Sequence, residues 1–433
     1  MASEWKTLPL EECLDALIDY RGKTPRKVDA GIPLITAKIV KNGRIQEPTE
    51  FISPSDFDDW MTRGLPRIGD VVLTTEAPLG EVAQIGQLPV ALAQRIVTLR
   101  GKRGLVDNDF LLYALQSEPM QTQMKGRSSG TTVLGIKQSE LRKIVLAIPP
   151  MEQQQLAASV LKALDARISL LEETNATLEA IAHTLFKAWF VDFDPVHAKA
   201  EGREPDGMDA ATAALFPDSF EDSPRGPIPQ GWHAASLSDC MELNPQRVLR
   251  KGSLASYLDM ANAPTQGHRP AEITQRELGS GSKFINGDTL LAKITPCLEN
   301  GKTAFVDFLA DNEVGWGSTE FIVMRPKAPL PPFWGYLLAR TPNFRAFAIQ
   351  AMTGTSGRQR VELGRLKQFS VAVPDDGVAE AFGKIIEPLH ARIAAASSHA
   401  DNLTQLRDTL LPRLISGKLR LPEVSGLTEE AIA

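Results

Sequence analysis

The chain has 433 residues and a formal net charge of −6 at pH 7, with 47 Lys and Arg against 53 Asp and Glu. This acidic balance argues against a protein that coats nucleic acid generally, because such proteins carry an excess of basic residues. No apolar run reaches the roughly 18 residues of a membrane span, no signal-peptide pattern opens the chain, and three cysteines make neither a disulfide framework nor a metal cluster. We therefore expect a cytoplasmic chain of two or three domains, with no membrane partner.

Residues 1–150 are expected to fold as a first globule. They contain 19 Lys and Arg against 18 Asp and Glu, so contact with an anionic partner would depend on local loops. The patterns predict buried strands at 71–73 and 94–99, a short helix at 109–116, a loop of small residues at 127–132, and a strand that ends in two prolines at 149–150.

Residues 151–190 carry the pattern of one long helix. Apolar residues recur at alternating intervals of three and four, as at the a and d positions of a heptad, and neither Gly nor Pro interrupts them. At about 1.5 Å per residue this helix would be roughly 55–60 Å long and would need a partner along its whole length. The predicted contact positions are Leu161, Leu164, Ile168, Leu171, Asn175, Leu178 and Leu185.

The same plan then repeats. Residues 191–231 have the composition of a linker, rich in Pro, Gly and acidic residues. A second globule is expected at 232–376, a second long helix at 377–420, and a flexible tail at 421–433. The heptad positions recur at a shift of 225 residues, at Ile386, Leu389, Ile393, Leu403, Arg407 and Leu410. One such helix alone is usually a core or oligomer helix; two matched helices predict a single coiled coil inside a duplicated α+β chain with two α/β globules.

The sequence contains no catalytic constellation. The P-loop reading of Gly301-Lys302-Thr303 fails because Pro296 stands where a glycine is required, and no Gly-rich dinucleotide fingerprint follows a strand. Asn244-Pro245-Gln246-Arg247 falls short of the Asn-Pro-Pro-aromatic motif of amino-methyltransferases. The six histidines show no metal-ligand spacing. We therefore expect a chain that is not an enzyme by itself and that binds neither metal nor cofactor.

Three stretches resemble the specificity subunit of type I restriction–modification systems, and the resemblance extends over essentially the whole chain. They are GTTVLGIKQSELRKIVLAIPPMEQQQ at 130–155, LEAIAHTLFKAWFVDFDPV at 178–196 and LRDTLLPRLISGKL at 406–419. The combination of small-residue loop, strand, Pro-Pro and Glu-Gln-Gln helix start is the most specific part of the resemblance.

The resemblance implies a division of labour. Each globule would be a target-recognition domain that reads one half of a bipartite sequence in double-stranded DNA. The two long helices would pack antiparallel, separate the globules, set the unread gap and dock two modification subunits. Two restriction/translocase subunits would join the complex. S-adenosylmethionine, ATP and Mg²⁺ would then belong to these partner subunits and not to this chain.

Side chains that read bases are usually Arg, Lys, Asn, Gln, Ser or Thr on loops. Each such residue taken singly is more often a solvated surface charge, so the prediction depends on sets at equivalent points of both halves. Lys38, Lys293 and Arg358 are the strongest individual choices. The full candidate set is Tyr20, Arg21, Lys23, Thr24, Lys38, Lys41, Asn42, Arg127, Ser128, Ser129 and Thr131 in the first globule, and Arg247, Arg250, Lys251, Lys293, Lys302, Ser318, Thr319, Thr353, Thr355, Ser356, Arg358 and Gln359 in the second.

Two other classes of function remain open at the level of the sequence. The acidic composition modestly favours a coiled-coil scaffold or protein-binding module without DNA recognition. A fused nuclease or methyltransferase is disfavoured by the motif search. DNA methylation in the presence of a modification subunit would distinguish these from a DNA-reading chain.

Overall fold

The computed structural model describes residues 5–22, 24–224, 226–355 and 357–419. The chain divides into two compact units, Met1–Leu170 with His399–Ala433 (the first unit) and Leu171–Ser398 (the second unit). Each unit combines one globule with part of both long helices, so the helices are not compact units of their own. The predicted tail at 421–433 lies outside the described residues. Among the helices that the structure describes, none combines the length and apolarity that crossing a bilayer requires.

In the first globule, a side-chain cap begins one helix and a pair of residues with positive φ makes one hairpin turn. The side chain of Asp107 accepts hydrogen bonds from the backbone N–H groups of Asp109 and Phe110 and so caps a helix. Asn42 and Gly43, both with positive φ, make a two-residue hairpin turn. The strands are β1 (Lys6–Pro9), β2 (Leu14–Asp19), β3 (Lys27–Val28), β4 (Ile32–Ile35), β5 (Val40–Lys41), β6 (Arg44–Ile45), β7 (Phe51–Ile52), β8 (Val71–Thr75), β9 (Leu79–Gln84), β10 (Ala91–Leu92), β11 (Ile96–Gly101) and β12 (Val145–Ile148). The helices are α1 (Phe57–Trp60), α2 (Asn108–Gln116), α3 (Glu118–Gly126), α4 (Gln138–Leu141) and α5 (Met151–Phe190), with 3₁₀ turns at Leu10–Cys13 and Pro54–Asp56.

Two four-stranded sheets form this globule. One has the order β2-β11-β8-β9 with antiparallel neighbours, and the other has the order β10-β4-β7-β3 with β10 parallel to β4. Strand β1 pairs antiparallel with β12, so the first and last strands of the globule lie side by side. Leu34 and Ile52 from one sheet and Val72 and Ile96 from the other are buried in one core.

The second unit repeats these elements. The helices of the second unit are α6 (Asp194–Ala200), α7 (Ala210–Ala213), α8 (Leu237–Cys240), α9 (Pro332–Arg340), α10 (Pro342–Gln350), α11 (Leu363–Leu366) and the first part of α12 (Asp376–Ile415), which continues into the first unit. The strands of the second unit are β13 (Phe220–Ser223), β14 (Gly226–Pro229), β15 (His233–Ser236), β16 (Met241–Leu243), β17 (Leu254–Leu258), β18 (Thr274–Glu277), β19 (Ser282–Phe284), β20 (Thr289–Ala292), β21 (Thr303–Phe305), β22 (Gly315–Gly317), β23 (Phe321–Pro326), β24 (Met352–Thr353), β25 (Arg360–Val361) and β26 (Ser370–Val373).

One sheet has the same strand order in both globules, β2-β11-β8-β9 in the first and β16-β23-β20-β21 in the second, whereas the other sheets differ in order and share one parallel strand pair, β10 with β4 and β22 with β17. The second globule has one sheet ordered β16-β23-β20-β21 and another ordered β18-β17-β22-β19, and β15 pairs with β26. The buried Asp70 accepts two hydrogen bonds from Arg100 on β11, and the buried Asp288 accepts one from Arg325 on β23, whose second hydrogen bond goes to the carbonyl of Asn286. This ion pair explains the Gly-Asp that precedes a buried strand in both halves of the sequence. The predicted duplication and the α+β fold class are confirmed.

The segment 191–231, predicted as a linker from its composition, is structured. It contains α6, α7 and the antiparallel hairpin of β13 and β14. Val196 and Phe216 are buried in the core of the second unit, and the ring centroid of Phe216 lies 4.9 Å from that of Trp189 on α5. The Pro, Gly and acidic residues that suggested a linker lie both in turns and in α6, β13 and β14, and a few apolar residues between them pack into the core.

The long helices α5 and α12 each have 40 residues. The predicted heptad positions are buried or half-buried along both helices. Within the second unit they run antiparallel, because Asn175 donates to Ser397 at 2.9 Å while Phe190, further along α5, packs against Phe382 at the start of α12. Asn175 therefore has a polar partner at an otherwise apolar interface, which fixes the register of the helices.

Candidate nucleic-acid interface

Three chain segments meet at one end of the β2-β11-β8-β9 sheet. The backbone N–H of Thr75, the last residue of β8, donates to the carbonyl of Arg95 at 2.9 Å, and the N–H of Ile136 donates to the carbonyl of Thr75 at 2.9 Å. These two bonds hold a long loop against the two strand ends. The segments, which we call the first loop cluster, are residues 75–79, 94–96 and 127–136.

The second globule has the same arrangement. The N–H of Lys293 donates to the carbonyl of Glu320 at 2.9 Å, and the N–H of Val361 donates to the carbonyl of Lys293 at 2.8 Å. The sequence of donors and acceptors is identical to that in the first globule. The segments, which we call the second loop cluster, are residues 293–297, 318–321 and 353–361, of which residue 356 lies outside the described residues.

Each cluster contains an ion pair, and the residue directly before β11 or β23 has opposite charge in the two clusters. In the first cluster Arg95 Nε lies 3.6 Å from Glu76 Oε1. In the second, Arg360 donates to both carboxylate oxygens of Glu320 at 2.7–3.0 Å. Hydrogen bonding from Arg360 holds the pKa of Glu320 below its usual value. These four residues were not among the candidates, since the pairing depends on contacts between distant segments.

The long loop of each cluster depends on a glycine in the left-handed region. Gly130 has φ +117°, and a Cβ there would lie 2.1 Å from the carbonyl oxygen of Val133. Ser129 and Gly135 exchange two backbone hydrogen bonds of 2.9 Å, which close the loop. In the second cluster Gly354 has φ +124°, and a Cβ there would lie 3.0 Å from the carbonyl oxygen of Arg358. Only glycine fits without strain at either position.

We expect Gly130→Ala to distort the first loop cluster, because the new Cβ meets the backbone and the required φ is unfavourable. A cost of about 1–3 kcal/mol is expected. Amide hydrogen exchange should become faster at Ser129 and Gly135. Gly126→Ala is the matched control: this residue ends α3 and a Cβ there meets nothing within 4 Å. Equal exchange rates at Ser129 and Gly135 in the two variants would contradict this account of the loop.

In the first cluster the structure brings together several predicted residues. Arg127, Ser128, Ser129 and Thr131 lie on its long loop. The guanidinium of Arg21 donates to the carbonyl of Ile136 at 3.0 Å and is also paired with Asp19, which holds it beside the loop. The side chain of Thr24 accepts a hydrogen bond of 3.2 Å from Gln94. Arg127 pairs with Glu140 at 3.3 Å, and its side chain is partly exposed.

Other candidates of the first globule lie elsewhere. The prediction for Tyr20 is corrected: its ring is 3% exposed, stacks on Trp60, and its hydroxyl donates to the carbonyl of Gly64. Its side chain is part of the core and cannot reach a ligand. Lys38 is 79% exposed, with Nζ 3.4 Å from Glu50. Lys41 and Asn42 lie on the β5–β6 hairpin, where the Asn42 N–H donates to Glu81. Lys23 lies outside the described residues.

The second cluster contains more of the predicted DNA-contacting residues than the first. Lys293, Ser318, Thr319, Thr353, Thr355, Arg358 and Gln359 all belong to its three segments, and Ser356 lies outside the described residues. The Gln359 N–H donates to Thr295 Oγ1 at 3.1 Å, which ties the long loop to the end of β20. Arg358 is exposed, and its side chain makes no hydrogen bond or ion pair with the described residues around it.

Two predicted residues of the second globule have structural partners instead. Lys302 Nζ donates to the carbonyls of Met260 and Ala261 at 2.6 and 2.9 Å. The Arg247 side chain is 17% exposed and lies 3.5 Å from the buried Asp288. Both cations therefore stabilise the globule. The remaining candidates, Arg250 and Lys251, are exposed on the connection between β16 and β17.

Known proteins similar to this chain belong to one group. Residues 2–180 match the family model described as the type I restriction modification DNA specificity domain. The type I restriction enzyme MjaIX specificity subunit of Methanocaldococcus jannaschii is 25% identical over 91% of this chain and 88% of its own length. The HindI specificity subunit of Haemophilus influenzae is 23% identical over 72% of this chain and 76% of its own. The crystal structure of a type I restriction-modification S subunit from M. genitalium superposes with a TM-score of 0.54 at 16% identity, over 95% of this chain and 96% of that one, so the fold is shared.

Proposed function

We infer that this chain, which belongs to the family of type I restriction–modification specificity subunits, recognises a bipartite DNA sequence through its two loop clusters. Each globule would read one half of the target. The observation that carries this assignment is the repetition of one loop arrangement, with the same two backbone hydrogen bonds, in both globules. A reading surface that must serve two half-sites is expected to occur twice in a duplicated chain.

The composition of the clusters suits contact with DNA. Their long loops expose hydroxyl groups and glycines, which let a backbone approach phosphates, and they carry basic side chains such as Arg127 and Arg358. The ion pair between Arg360 and Glu320 holds the long loop of the second cluster, and the hydrogen bond from the Ile136 N–H to the Thr75 carbonyl holds that of the first, so both are in place before DNA binds. Preformed loops lose less conformational entropy on binding than mobile ones.

We further propose that α5 and α12 set the unread gap between the half-sites and dock two modification subunits. Equivalent groove positions recur every ~34–36 Å along B-DNA, and a helix of 40 residues is roughly 60 Å long. Because the chain is acidic overall, basic partner subunits would supply part of the phosphate neutralisation.

Catalysis belongs to the partners in this proposal. Modification subunits would bind S-adenosylmethionine, and two restriction/translocase subunits would bind ATP and Mg²⁺. This chain would contribute specificity alone, in the cytoplasm. A coiled-coil scaffold without DNA recognition is not favoured, because the curated relatives named above are specificity subunits of restriction enzymes.

The decisive experiment is long-read sequencing of DNA methylation in a host that expresses the neighbouring modification gene with or without this chain. We expect one methylated motif, two short half-sites around a fixed gap, to appear only when the chain is present. The modification gene with an unrelated specificity chain is the control for an active methyltransferase. If that control methylates its own target and this chain adds no motif while co-purifying with the modification subunit, the proposed function is wrong.

A further inference from the structure

A cluster of buried titratable side chains lies in the second unit, away from the loop cluster. His268 Nε2 lies 3.0 Å from Asp307 Oδ2, and His390 Nε2 lies 3.2 Å from the same oxygen. The three donor atoms lie within 4.8 Å of one another. His268 lies on the connection between β17 and β18, Asp307 is the second residue after β21, and His390 lies on α12.

The surroundings of this cluster are dry. His268 is 3% exposed, and the side chain of Asp307 is 6% exposed. The ring of Phe333 lies 4.7 Å from that of His390 and 6.1 Å from that of His268, and the ring of Phe305 lies 4.8 Å from that of His390. Aromatic side chains line the cluster, so the charge of the Asp307 carboxylate must be balanced by the two histidines, by Arg269, whose Nε lies 3.6 Å from Oδ1, or by a bound ion.

A second carboxylate orients one of the histidines. Glu179, which is 9% exposed on α5, lies 2.6 Å from Nδ1 of His268. Both ring nitrogens of His268 therefore face a carboxylate, and although burial lowers it, hydrogen bonds to Asp307 and Glu179 raise the pKa of His268 to about 9. Metal binding at Nε2 would displace the proton that this nitrogen donates to Asp307, and the Nδ1–H would remain hydrogen-bonded to Glu179. Carboxylate–histidine pairs of this kind commonly support metal ligands, because they fix the tautomer and the orientation of the ring.

We propose that His268, His390 and Asp307 form a binding site for a divalent transition metal, with Zn²⁺ as the preferred ion. Two imidazoles and one carboxylate are a ligand set that suits zinc. Ligand atoms at ~2.0–2.1 Å from a tetrahedral ion lie roughly 3.3 Å from one another. The two imidazole nitrogens lie 3.0 and 3.2 Å from Asp307 Oδ2, and all three atoms lie within 4.8 Å of one another. The other oxygen of this carboxylate, Oδ1, is buried, makes no hydrogen bond within the described residues and lies 3.6 Å from Arg269 Nε. The three side chains therefore supply three ligand atoms, and water would take the fourth position.

The site would act as a clamp. It joins α12, through His390, to two loops of the second globule, and its supporting carboxylate comes from α5. A metal there would fix the globule to both long helices of its unit. No such site was expected from the sequence, since Asp307 is 39 residues from His268 and 83 from His390, and these separations match no metal-binding motif.

The test uses the full chain, co-purified with its modification partner, stripped with a chelator and titrated with Zn²⁺ or Co²⁺. We expect one metal per chain by elemental analysis, a Co²⁺ visible absorption typical of tetrahedral coordination, and a thermal midpoint that rises with metal. His390→Gln and Asp307→Asn should abolish all three responses. Glu179→Gln should weaken metal affinity about 10- to 100-fold without abolishing binding.

His197→Gln is the matched control, because His197 lies on α6 outside the cluster and should leave metal content unchanged. The proposal is overturned if the stripped wild-type complex takes up no metal. It is also overturned if metal binds with equal affinity to the wild type and to His390→Gln. Both outcomes are independent of DNA methylation, so they leave the proposed function untouched.

Discussion

Ile168→Pro is expected to break α5 and to abolish recognition of the bipartite target that we propose. Ile168 is 3% exposed within a helix of 40 residues. Proline removes a backbone hydrogen bond and clashes with the preceding turn, at a cost of about 3 kcal/mol or more. For a cooperative unit of about 200 residues this corresponds to a fall of roughly 6–12 °C in the thermal midpoint. Circular dichroism would measure the helix loss, and methylation sequencing the loss of the motif.

Ile168→Val is the control for this variant. It shortens the same buried side chain and keeps the backbone hydrogen bond, so a cost of only about 0.5–1.5 kcal/mol is expected, with the methylated motif unchanged. If Ile168→Pro were to retain a motif with the same gap, the helices could not be the element that sets the gap. If it lost stability but methylated normally, the helix would be structural only.

The packing around α5 in the first unit explains why a kink at Ile168 should disturb the neighbouring helices as well. The Asp165 carboxylate on α5 accepts a hydrogen bond of 2.7 Å from Tyr113 on α2 and one of 2.8 Å from Arg407 on α12. Burial, together with the nearby charge of Asp165, raises the pKa of Tyr113, so its hydroxyl stays a donor. A kink at Ile168, one turn away, would move Asp165 relative to both partners and leave buried polar groups unsatisfied.

The parts of the fold that could be predicted from sequence are those set by local or periodic patterns. Heptad periodicity predicts α5 and α12, and the predicted positions such as Leu164 and Ile393 are buried. The matched Gly-Asp turns predict equivalent strands, and Asp70 and Asp288 occupy equivalent places. Such patterns predict structure well because each depends on the residues of a single helix or strand pair and not on contacts with distant segments.

Properties that depend on distant contacts could not be predicted in this way. Tyr20 has the residue type of a DNA-contacting side chain, yet it is buried because Trp60 and Gly64 come to lie beside it. Lys302 is bound by two backbone carbonyls supplied by a different loop. A composition rich in Pro and Gly did not reveal that Phe216 belongs to a core. In each case the contact is made by a segment that is not adjacent in sequence.

Arg358→Ala is expected to weaken binding of target DNA by about 1–3 kcal/mol, roughly 5- to 150-fold, if Arg358 reads a base. Arg358 is exposed on the long loop of the second cluster, unlike its neighbour Arg360, which is held by Glu320. Binding to non-target DNA should change much less, and the methylated motif should become degenerate at one position of one half-site. The measurement is binding of target and scrambled duplexes by the chain assembled with its modification subunits.

The salt dependence of that binding distinguishes a base contact of Arg358 from a phosphate contact. A phosphate contact would be lost equally on target and scrambled DNA, and the slope of log K against log salt would fall by about 0.9. Arg365→Ala removes the same charge from an exposed site on α11, outside the cluster, and should leave both target discrimination and the slope nearly unchanged. Should Arg358→Ala behave like Arg365→Ala in every respect, the long loop of the second cluster would not contact DNA at this residue. The reading surface would then have to be sought at Lys293 and Thr319, which the same brace between Glu320 and Arg360 holds in place.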